Sequence, residues 1–89
     1  MSQIEVTKKF HSDAGHGWLA VKRDELDQLG ITKEISTCSY INGYTVYLEE
    51  DCDAGVYMNA QSANGVKVNF IELDSQDVSP IRSYARFVG

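Results

Sequence analysis

The dipeptide Asn42-Gly43 separates two β-prone runs, residues 35–41 and 44–49, and no other stretch of the chain narrows its fold as much. Asn-Gly is the preferred pair where both central residues of a two-residue type I′ turn must take positive φ, so the two runs are expected to close into a tight hairpin. With Asn42 and Gly43 as the turn, Ile41 faces Tyr44, Ser39 faces Val46 and Thr37 faces Leu48. Cys38, Tyr40 and Tyr47 then lie on the opposite side. The first set is the expected core face, and the second, with its hydroxyls and thiol, the expected partly covered face.

Other elements follow from periodicity. Ile4, Val6 and Phe10 alternate with Glu5, Thr7 and Lys9, which predicts a half-buried strand over residues 4–10. Residues 11–17, rich in glycine and turn-prone polar groups, predict a loop, and residues 18–21 a short second strand. A first helix is expected over residues 24–29. Asp24 and Glu25 suit its positive end, Leu26 and Leu29 share one face, Gly30 is placed to end it, and Ile31 to fold back onto Leu26. The acidic stretch 49–53 introduces a second helix over residues 52–64, with Val56, Ala60 and Ala63 at helical spacing. Val66, Val68 and Phe70 mark another strand, which with the second hairpin strand and the intervening helix forms a βαβ candidate. Residues 74–80 end in the single proline and predict a loop, and residues 81–88 an edge strand. The expected fold is one domain over residues 1–89, of the α+β class: a small mixed, mainly antiparallel sheet with two helices packed on one face.

At 89 residues and 43% hydrophobic composition the chain can build one core and lacks the signature of disorder. Thirteen acidic against eight basic residues give a formal charge of −5, which argues against direct nucleic-acid binding and favours a partner with a basic surface. Neither an export signal nor a run of apolar residues long enough for a membrane span is evident. The expectation is therefore a cytoplasmic protein, monomer or homodimer, with Cys38 and Cys52 as free thiols.

Two motifs carry candidate chemistry. His11, Asp13 and His16, beside Trp18, offer two imidazoles and a carboxylate within six residues as weak candidate metal ligands, or as a small ligand or enzyme site. The spacing matches no established metal motif, and the structural alternative is a glycine-rich connection in which Asp13 and His16 bond to backbone groups while Trp18 anchors the loop. No cofactor is called for. The second motif is the run Glu49, Glu50, Asp51 and Asp53. Carboxylates here suit the start of a helix, and Asp51 or Asp53 can cap it, yet four in five residues exceed what capping needs and form a candidate partner-binding patch. Tyr47, Trp18 and His16 join that patch as candidate contact residues, with Tyr47 or Trp18 as the desolvated anchor. Cys52 has carboxylate neighbours that oppose thiolate formation, so a nucleophilic role is not expected. Arg82, Tyr84 and Arg86 would share one side of a C-terminal strand as a thin basic and aromatic strip.

The stretches Phe10-His11-Ser12-Asp13-x-Gly15-His16-Gly17-Trp18, Leu29-Gly30-Ile31, Val46 through Asp53 and Ile81-Arg82-Ser83-Tyr84 resemble a family of small proteins from phages, plasmids and bacterial mobile elements. The resemblance implies no catalytic residues. It implies a genomic setting in which short acidic proteins act as inhibitors of host defence or regulators of host enzymes. Taken with the small size, the acidity, the patch from Glu49 to Asp53 and the aromatic residues, it leads to the expectation of a non-enzymatic phage-type accessory protein that binds a host protein, such as an anti-CRISPR inhibitor of host defence.

Overall fold

The computed structural model describes residues 4–75 and 79–88; the middle of the expected loop over residues 74–80, and the first three residues, lie outside them. In chain order the elements are β1 (Ile4–Ser12), β2 (Gly17–Lys22), α1 (Arg23–Leu29), a 3-10 turn (Thr32–Glu34), β3 (Tyr40–Asn42), β4 (Thr45–Glu49), α2 (Ala54–Ala63), β5 (Val66–Asp74), a second 3-10 turn (Pro80–Ser83) and β6 (Ala85–Arg86). The strands form one six-stranded sheet in the order β5-β1-β2-β4-β3-β6, antiparallel at every step except β1–β5. The fold is a small α+β fold.

One face of the sheet carries Leu19 and Val21 of β2 and Val46 and Leu48 of β4. These pack with Leu26 of α1, Ala54 and Tyr57 of α2, and with Ile31, Ile35 and Phe87 in the core. Strand alternation therefore turns the apolar set toward both helices. No helix among the described residues is long and apolar enough to cross a membrane.

The hairpin forms, but its turn sits one residue later than Asn42-Gly43. Asn42 pairs with Thr45, Ile41 with Val46 and Tyr40 with Tyr47, leaving Gly43 and Tyr44 as the turn. Gly43 alone has positive φ, at 64°, as a type II′ turn requires at its first central position, whereas type I′ would need it at both. The shift places Ile41 beside fully buried Val46 and releases Tyr44, 83% exposed, from the ladder. Partners move by two positions, so each side chain keeps its expected face. The first hairpin strand is also shorter than expected, because Ser36 and Ser39 bond to the carboxylate of Asp53 instead of continuing the ladder. Thr37 is consequently exposed.

Helix α1 ends as its sequence suggests. Gly30 is left-handed at φ 71°, and Ile31 N donates to Leu26 O at 3.0 Å, with both side chains buried. Helix α2 is rotated from its expected face: Ala54, Tyr57 and Gln61 are buried, while Val56 and Ala60 are only half-buried and Ala63 is exposed. Tyr57 offers far more area to the core than alanine, so its burial sets the rotation. The strand after α2 does not join β4, because both edges of β4 are taken by β2 and β3. Instead β5 passes to the free edge of β1 and pairs with it in parallel from Ile4–Val66 to Ser12–Asp74. The expected C-terminal strand is a 3-10 turn followed by two ladder residues.

A polar string ties the helices to the sheet. Lys8 of β1 pairs with Glu25 of α1, Tyr57 Oη donates to Glu25 Oε2 at 3.1 Å, and Gln61 Nε2 donates to Tyr57 Oη at 2.9 Å. Burial pushes the Tyr57 hydroxyl up to about 12, with Glu25 adding to the rise and Gln61 opposing it. The unfolded chain releases this proton first, so stability falls as pH climbs from the ordinary tyrosine value of 10.0 toward about 12. Tyr57→Phe should cost about 1–2 kcal/mol at neutral pH, because Gln61 and Glu25 lose their shared partner. It should also flatten that alkaline loss, as read from urea midpoints between neutral pH and pH 12.

Candidate binding site

The loop between β1 and β2 is organised by Asp13. Its Oδ1 accepts from Gly15 N and His16 N, both at 3.0 Å, and its Oδ2 from Ser79 N at 3.0 Å. Arg82 grips both oxygens, Nε at 2.7 Å and Nη2 at 2.9 Å. The Arg82 guanidinium, followed by the Ser79 amide, holds the Asp13 carboxyl well below the usual carboxylate range. Asp13 thus fastens the C-terminal segment across the open face of the sheet. His11 sits edge-on to Tyr47 at 5.7 Å, and its pKa is lowered by burial and then by Lys9. His16 lies beside Trp18 and places Nδ1 3.4 Å from Glu49 Oε1. The three candidate metal ligands therefore have separate engagements, and among the described residues no three His, Cys, Asp or Glu side chains converge as a metal site.

The acidic run divides in two. Glu49 is buried, and its Oε2 accepts from Asp51 N at 2.8 Å and Cys52 N at 2.9 Å, shaping the turn that enters α2. Asp53 is buried on Ser36 and Ser39 and does not cap α2 with its side chain, contrary to the capping expectation. Glu50 and Asp51 remain exposed. Trp18, at 2% exposure, is covered by Arg82, whose guanidinium lies 5.5 Å over its ring, so the indole is structural and offers no surface to a partner. Tyr47 is half-buried between His11 and Tyr84. Arg82 and Arg86 do share the open face as expected, with Arg86 over Tyr40 at 4.5 Å, although Arg82 reaches it from a 3-10 turn.

On the helix face, a cleft of about 370 Å³ opens between the β5–β1 edge and the start of α2. Phe10, Leu19, Ala54, Met58 and Phe70 make its apolar walls, and Glu50 and Glu72 contribute carboxylates. Two glycines shape it. A Cβ on Gly17 would stand 2.4 Å from the Phe10 ring, so only glycine leaves room for the ring at this position. A Cβ on Gly55 would meet nothing within 4 Å, which leaves the helix side open. Beside the cleft runs the outer edge of β5, a nine-residue strand that among the described residues is paired on one side only, and that bears exposed Phe70, Ile71 and Leu73. An apolar cleft with carboxylates suits a side chain with an aliphatic stem and a cationic tip, and a free strand edge suits an extended backbone. Of this set, only Glu50 was singled out from sequence. Phe70 reads as a core residue by alternation, and nothing local reveals that β5 ends the sheet.

Comparison of the chain with family models, curated proteins and solved structures returns no match.

Because the Asp13 carboxyl titrates below its ordinary value of 3.8, its contribution is complete above that pH and is lost only as the pH falls well beneath it. Amide exchange at Gly15, His16 and Ser79 should therefore stay protected at pH 4. Asp13→Ala, which removes both acceptor oxygens, should expose all three amides to exchange already at neutral pH, read by NMR against the unchanged amides of β4.

Proposed function

We propose that this protein is a non-enzymatic binding module that takes an extended, basic segment of a partner protein along the β5 edge. A lysine or arginine of that segment enters the cleft between Phe10, Met58 and Phe70, its charge meeting Glu50 and Glu72. The observation that carries this reading is the coincidence of an apolar cleft, two carboxylates lining it and an unpaired strand edge. The net charge of −5 supports the same choice of partner through long-range attraction. Together with the resemblance noted from the sequence, it supports a phage-type accessory protein whose target is a host protein with a basic surface. Inhibition of host defence, in the manner of an anti-CRISPR protein, is the activity we assign to that class.

Gly55 supplies the test. Gly55→Leu fills the cleft from a position with free space and improves helix propensity by up to about 1 kcal/mol, so it should preserve or raise stability. A fluorescent strand-like peptide of alternating lysine and valine, followed by anisotropy, should bind the wild type in a salt-sensitive manner. It should bind Gly55→Leu and the Glu50→Lys/Glu72→Lys double variant at least ~10-fold more weakly, equivalent to about 1.4 kcal/mol. Host proteins captured by the wild type should be absent from captures with either variant. Equal binding by wild type and Gly55→Leu would exclude the cleft as the site.

A further inference from the structure

On the open face of the sheet, away from that cleft, the turn before β3 and the turn before α2 bring two cysteines together. Cys52 Sγ donates to Cys38 Sγ across 3.0 Å, and both are free thiols. Their positions are set by backbone hydrogen bonds as well as by the contact between the sulfurs. Cys38 N donates to Ser36 Oγ, which in turn donates to Asp53, while Cys52 N donates to the Glu49 carboxylate. The sulfurs face a groove of about 410 Å³ that also contains Tyr40, Asp51 and Arg86. Glu49 and Arg82 line it too, but Glu49 is buried and Arg82 is paired with Asp13, so Asp51 and Arg86 are the exposed charges left beside the thiols.

We propose that Cys38 and Cys52 form a redox modification site, a dithiol that closes to an intramolecular disulfide by exchange with a zwitterionic small-molecule disulfide of the glutathione type. The carboxylate and ammonium groups of such a molecule match Arg86 and Asp51. Cys38 Sγ, as thiolate, attacks one sulfur of glutathione disulfide, breaking its S–S bond. A mixed disulfide forms on Cys38 and one glutathione thiolate leaves. Cys52 Sγ then gives up its proton and attacks Cys38 Sγ, expelling the second glutathione thiolate. The two cysteine protons end on the two glutathiones, so two protein thiols are oxidised and one small disulfide is reduced.

The order of attack follows from the contact. The hydrogen bond to Cys38, then burial and then Glu49 push the Cys52 thiol up to about 12, so Cys52 keeps its proton while Cys38 reacts. Once Cys38 is in the mixed disulfide, its sulfur no longer attracts that proton, and Cys52 is released to close the bond. Closing a gap of 3.0 Å to a bond of about 2.0 Å asks for a movement of about an ångström between two surface turns.

Reduced protein incubated with glutathione disulfide and quenched with acid should lose the mass of two hydrogens without retaining an adduct. Its denaturant midpoint should rise and return on reduction. Cys52→Ser should stop at a single glutathione adduct on Cys38, and Cys38→Ser should react at least ~10-fold more slowly. Wild-type protein that keeps glutathione adducts, or that links into disulfide dimers, overturns the proposal. Equal reaction rates for the two serine variants overturn the assignment of Cys38 as the attacking sulfur.

Discussion

The buried carboxylate of Asp53 is the constraint on which the rest of the arrangement depends. At 3% exposure it accepts from Ser36 N, Ser36 Oγ and Ser39 Oγ, all of them neutral donors. Ser39 passes the constraint on: its Oγ accepts from Glu49 N at 3.1 Å and its carbonyl from Phe87 N at 2.8 Å. One side chain thus joins the start of α2, the turn before β3, the end of β4 and the C-terminal segment. A buried anion without its donors is costly, so these four pieces assemble together or not at all. The same network shortens the hairpin, turns Glu49 inward and sets Cys38 against Cys52.

The two faces of the sheet are finished in different ways. The helix face is closed by aliphatic packing and the Lys8–Glu25–Tyr57–Gln61 string, except at its β5 end, where α2 begins with small residues and the cleft stays open. Among the described residues the other face carries no α-helix. It is covered in part by the segment 79–84 that leads into β6, held by the Asp13–Arg82 pair, and by arginines lying over Trp18 and Tyr40. The mainly acidic chain thus spends two of its few arginines on its own aromatic surface. The exposed edge of β5 is the place where the apolar surface is least protected.

Local chemistry made much of this legible. The period-two runs of β1 and β5, the short strand β2, the αL glycine after α1, the hairpin and the acidic stretch before α2 follow from residue type and spacing. The misplacements share one cause. Asn42-Gly43 loses the turn centre to Gly43-Tyr44, because Ile41 gains more beside Val46 than beside Tyr44. The small residues of α2 lose the buried face to Tyr57. Two of the four clustered acids and Trp18, all candidate contact residues, are consumed by internal bonds and packing. The cleft residues Phe10, Gly55, Met58, Phe70 and Glu72 are scattered along the chain and carry no shared spacing to find them by.

Sequence by itself determined the fold class, the alternation of buried and exposed positions and the acidic charge, because each depends on propensity and periodicity over a few neighbouring residues. Only the tertiary structure decided which carboxylates stay exposed, which strand edge is left unpaired and which thiols meet. Those outcomes depend on the competition among distant groups for the same donors, the same core volume and the same free edge of β1.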